Sequence, residues 1–70
     1  MPIVLAPLNT DLRIVRILAT DKLKKHLESL GITIDATIRI LSQSGGNVIC
    51  VVKEGRLALD HDIASKILVA

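Results

Sequence analysis

The sequence predicts a small, mainly β domain: a closed five-strand barrel with one short helix after its first strand. Three observations carry this. Half of the 70 residues are hydrophobic, mostly Ile, Leu and Val, with no Phe, Tyr or Trp. Branched Cβ atoms pack well on a pleated surface and are stiff in a helix. Apolar alternation of period two recurs in short runs separated by glycine-containing turns, and one stretch alone switches to a helical period. A chain this short hides only about 60% of its unfolded surface, so residues 1–70 are expected to form one domain around one dense core.

The elements follow in order. Met1 to Asn9 holds both prolines and little alternation, and reads as a covering arm. Asp11 to Leu18 reads as a strand. Leu12 and Ile14 alternate with Arg13, but Val15 and Ile17 fall on the opposite parity, which calls for a bulge or for burial on both faces. Leu23, Leu27 and Leu30 then make one apolar stripe of a helix from Thr20 to Leu30. Thr20 is placed to cap it, Asp21 suits the positive end of its dipole, and Gly31 supplies the left-handed residue that stops it.

Beyond Gly31 the period returns to two. Ala36, Ile38 and Ile40 alternate with Thr37, Arg39 and Leu41. Gln43 to Gly46 is a turn, Asn47 to Lys53 returns as a strand, and Glu54–Gly55 turns into Arg56 to Leu59. Asp60-His61-Asp62 caps a single helical turn through about Ser65, and Lys66 to Val69 is the last strand. So much apolar sheet needs its edges removed, and closure into a barrel removes them. An edge left open would allow a second copy to pair with it, so a homo-oligomer is a possible outcome.

Charge and composition narrow the function. Nine Lys and Arg stand against seven Asp and Glu, a net charge of +2, and the charges are interspersed. Arg13, Arg16, Arg39, Lys53 and Arg56 can align as a basic stripe, but the chain has no aromatic on which a base could stack, so no nucleic-acid partner is expected. The lone Cys50 excludes an internal disulfide and suits a reducing compartment. No run of 18 apolar residues occurs, and the opening residues lack a signal peptide's basic segment. A cytoplasmic, non-spanning protein is the expectation.

Catalytic chemistry finds no foothold. No serine sits in a nucleophile elbow, and Gly45-Gly46 lies between two strands, where a hairpin turn accounts for it. An enzyme is not expected. Metal ligands are sparse: His26 and His61 are the candidates, and neither belongs to a closely spaced Cys or His pair. Cys50, among Ile49, Val51 and Val52, reads as a buried, inert thiol. The side of the helix carrying Lys22, Lys25, His26 and Ser29 is left as the candidate surface for a protein partner.

The order of residues adds a resemblance. Leu23-x-x-x-Leu27-x-x-Leu30-Gly31-Ile32 followed by Ala36-x-Ile38-x-Ile40 resembles the helix-to-strand signature of the FeoA family, small accessory proteins of bacterial ferrous-iron uptake. Gly46-Asn47-Val48, Arg56-Leu57-Ala58-Leu59 and Ala64-x-x-Ile67-x-Val69 resemble its closing strands, and Pro7-Leu8 with Leu12-Arg13-Ile14-Val15 its opening. Two positions depart: Asp35 stands where the family usually has Gly, and Asn47 where members often have Pro. The resemblance implies an SH3-like barrel in the cytosol, requiring no cofactor, that works with the membrane ferrous-iron transporter FeoB at its cytoplasmic GTPase part. It carries no catalytic motif to transfer. The same fold closes iron-dependent repressors, so a transition-metal sensor binding Fe²⁺ weakly at His26 or His61 is the alternative. A complete repressor is excluded, because the chain has no helix-turn-helix.

Overall fold

A computed structural model describes residues 1–53 and 55–70. Five antiparallel strands form one sheet in the order β4-β3-β2-β1-β5: β1 Asp11–Ile17, β2 Thr37–Ser44, β3 Asn47–Val52, β4 Gly55–Leu59 and β5 Ile67–Val69. Helix α1, Asp21–Ser29, follows β1, and the single turn α2, His61–Ala64, joins β4 to β5.

Strand β1 explains how so short a sheet curls. Its first half pairs with β2 (Leu12↔Ile38) and its second half with β5 (Ile17↔Ile67), with a register shift between Ile14 and Arg16. The parity change in the sequence is therefore a bulge: Leu12, Ile14 and Ile17 are buried while Val15 and Arg16 are exposed. An extra residue increases local twist and bends the strand. A second bulge, between Ile40 and Ser42 in β2, leaves Leu41 unopposed and bends the sheet again.

The turns follow their backbone chemistry. Gly45 and Gly46 link β2 to β3 with φ of 60° and 84°, the two positive values that a two-residue hairpin of matching twist requires. Asp35 occupies the left-handed region at φ 70°, so the turn survives without the family's glycine. The predicted Glu54–Gly55 turn includes Glu54, which lies outside the described residues; Gly55 itself opens β4.

One apolar cluster fills the interior. It draws Leu12, Ile14 and Ile17 from β1, Leu27 from α1, Ile38 and Ile40 from β2, Val48, Cys50 and Val52 from β3, Leu59 from β4, and Ile67 and Val69 from β5. Among the described residues β4 and β5 share no ladder, and side chains from both enter this common core instead. The arm does more than cover. Ile3, in a short 3₁₀ turn over Ile3–Leu5, is buried in the core, Pro2 bridges to Leu68, and the Val69 N–H donates to the Met1 carbonyl at 2.7 Å. Gln43 Nε2 donates to the Val4 carbonyl at 2.7 Å, pinning the arm at its other end.

Candidate functional site

Helix α1 is fixed at both ends. The Thr20 side chain accepts from the Leu23 N–H at 3.3 Å, satisfying one of the free donors of the first turn. At the other end the Ile32 N–H donates to the Leu27 carbonyl at 2.9 Å and the Gly31 N–H to that of Glu28 at 3.0 Å, with Gly31 at φ 93°. This is a Schellman ending, and its usual apolar contact is supplied by Leu27 and Ile32, both fully buried. Leu23 packs against the core beside them.

Lys22, Lys25, His26 and Ser29 fall on the opposite side, and all four are exposed. Residues at i, i+3, i+4 and i+7 share a helix face, so the side chains singled out in the sequence form one surface on an anchored helix. Its charge is positive at Lys22 and Lys25. Ser29 turns its hydroxyl back to the His26 backbone carbonyl.

The two histidines, the metal candidates of the sequence, are not brought together. They lie on different elements, and among the described residues no three His, Cys, Asp or Glu side chains converge. His61 Nδ1 lies 3.8 Å from Asp62 Oδ1, and both groups are largely exposed. Its ring lies over Gly46, and its backbone N–H donates to Asn47 Oδ1 at 3.0 Å. Asn47, the second departure from the family pattern, thus ties the hairpin to the start of α2. Asp60 caps the same turn through the Ile63 N–H at 2.9 Å. Cys50 is wholly buried, and burial pushes its thiol up to about 11, away from the thiolate that binds metal or attacks.

The basic stripe is divided. Arg39, Lys53 and Arg56 line a groove of about 570 Å³ on the outer face of the sheet, over Leu41 and Val51, and Asp11 Oδ1 accepts from Arg39 Nε at 2.9 Å. Arg13 lies outside this groove and pairs with Asp35 at 3.5 Å. Arg16 lies in a second groove, about 710 Å³, between the end of β1, α1 and the loop at Thr33 and Ile34, with Leu18, Lys24, Glu28, Ile34 and Lys66. Sequence reasoning missed this groove. Its one linear signal is a pair of large apolar residues, Leu18 and Ile34, outside any periodic pattern.

A curled five-strand antiparallel sheet with a helix after its first strand and a helical turn before its last defines an SH3-like small barrel. The same architecture occurs in ScaR, in a crystal structure with bound Zn²⁺: the TM-score is 0.85 at 24% identity, covering 99% of this chain and 35% of that one. The chain belongs to the FeoA family, whose FeoA domain model matches residues 1–70. A crystal structure of an iron uptake regulatory protein (FeoA) superimposes with a TM-score of 0.88 at 26% identity, covering 99% of this chain and 93% of that one. The solution structure of iron(II) transport protein A from Clostridium thermocellum gives 0.87 at 21% identity, covering 99% of this chain and 44% of that one. No curated protein matches the sequence. Among the described residues no helix is long and apolar enough to cross a membrane.

Proposed function

We propose that this domain is a cytoplasmic, non-catalytic accessory module of bacterial ferrous-iron uptake, docking on the GTPase part of a FeoB transporter through the outer face of α1. The observation that carries the reading is FeoA family membership over residues 1–70. The chemistry of the chain agrees with it. Its one thiol is buried and protonated, and its histidines stand apart, so its working parts are surfaces. Iron in this reading is the cargo of the partner.

The face of Lys22, Lys25, His26 and Ser29 suits a docking role because the helix beneath it is capped, terminated and rooted by Leu27, so little ordering is needed on binding. Lys22 and Lys25 select an acidic partner surface and speed encounter. Replacing both with Glu turns two attractions into repulsions. An exposed ion pair contributes about 0.2–1 kcal/mol, so binding to the isolated GTPase portion should weaken about tenfold while the thermal midpoint stays near that of the parent. Unchanged affinity in the Lys22→Glu/Lys25→Glu variant removes the helix face from the interface.

A further inference from the structure

A groove lies between the end of β1, α1, the loop at Thr33 and Ile34, and Lys66. Leu18 and Ile34 are 47% and 52% exposed, and they lie together in it. Scattered exposed apolar residues need no explanation, but large ones brought together in a concave site mark an interaction surface. The groove also carries a charge imbalance. Arg16, Lys24 and Lys66 line it against the single carboxylate of Glu28. Among the described residues none of these four takes part in an ion pair, whereas Arg13 and Arg39 elsewhere on the sheet each hold an aspartate.

We infer that this groove binds a peptide segment of a partner protein in which an apolar side chain is flanked by carboxylates. The apolar anchor covers Leu18 and Ile34. The flanking acids meet Arg16, Lys24 and Lys66, for which the described residues supply no ion-pair partner. Charge complementarity chooses this occupant. A wholly apolar segment would bury Arg16, Lys24 and Lys66 without partners, which is strongly unfavourable, and a basic one would be repelled. The site is separate from the outer face of α1: Lys22, Lys25, His26 and Ser29 line no part of it.

The test uses three capped pentapeptides on the whole chain: Glu-Glu-Leu-Glu-Glu, the same with Ser in place of Leu, and Lys-Lys-Leu-Lys-Lys. Backbone NMR shifts are followed during titration at low salt. The first peptide should move Leu18, Thr20, Lys24, Thr33 and Ile34 selectively, at least about tenfold more tightly than the other two. Arg16→Glu with Lys24→Glu should weaken it about tenfold, and Ile34→Ser should reduce the preference for Leu over Ser. Both variants change exposed or half-buried side chains, and unchanged shifts elsewhere establish that they fold. Equal binding of the Leu and Ser peptides, or shifts spread over the surface, overturns the inference. So does binding of phosphatidylglycerol-containing vesicles at this groove with no response to the acidic peptide. No transporter enters this assay, so its failure and failure of the helix-face reading are told apart.

Discussion

Replacing Gly46 with Ala separates two costs that a hairpin glycine hides. The first is conformational: at φ 84° an L side chain costs about 1–2 kcal/mol relative to glycine. The second is steric. A Cβ built on Gly46 would collide with His61 Cδ2 and lie 2.8 Å from Cγ and 3.2 Å from Cβ. The imidazole is largely exposed and can swing aside, but the backbone of His61 is held by Asn47 Oδ1 and the Asp60 cap, so its Cβ can retreat little. Gly45 is the internal control, with φ 60° and nothing within 4 Å of the place a methyl group would take. Gly45→Ala should therefore cost about 1 kcal/mol. Gly46→Ala should cost about 2–3 kcal/mol, the excess being overpacking against His61. In a His61→Ala background the two nearest of these contacts vanish, and the gap between the two glycine variants should fall below about 1 kcal/mol. Urea unfolding at a common slope measures all of these, and each kcal/mol should appear as about 4–8 °C in Tm. Equal costs for the two single variants, or a gap that persists without the imidazole, would refute the docking of the hairpin on α2.

Two further predictions concern the core. Leu27→Ala removes the fully buried root of α1 and should cost about 2–5 kcal/mol by the same assay, and a loss below about 1 kcal/mol would mean that the helix is anchored elsewhere. Burial raises the Cys50 thiol from 9.0 to about 11, so the unfolded chain releases this proton at a lower pH than the native one does. The associated stability is complete below pH 9 and is lost as pH rises through about 11, amounting to about 2–3 kcal/mol. The pH profile of Cys50→Ala, subtracted from that of the parent, should isolate this fall; parallel profiles would contradict it.

What was legible in the sequence was local. Thr20 and Gly31 bracket α1 because a cap and a left-handed stop act within one turn of the residues they serve. The parity change at Val15 calls for a bulge or burial on both faces because strand periodicity is strict, and the pairing with β5 decides for the bulge. The exposed helix face follows from the leucine stripe by the same geometry. Less was legible where distant segments meet. Ile3 enters the core from an arm whose prolines disguise it. Asn47 serves a helix turn 14 residues away. The groove takes Arg16 and Leu18 from the end of β1, Lys24 and Glu28 from α1, Ile34 from the following loop and Lys66 from beside β5, and no spacing rule connects these positions. Leu41 shows the same limit: the alternation stops at Ile40-Leu41, and that the stop is a bulge within a continuing strand depends on how β3 pairs across it.

The central claim is that the outer face of α1 meets the GTPase portion of a ferrous-iron transporter. An NMR titration of the labelled domain with that soluble portion, with and without guanine nucleotide, tests it most directly. The account predicts shifts confined to Lys22, Lys25, His26, Ser29 and their neighbours, stronger in one nucleotide state. Silence in every nucleotide state, or shifts that leave the helix untouched, would contradict it.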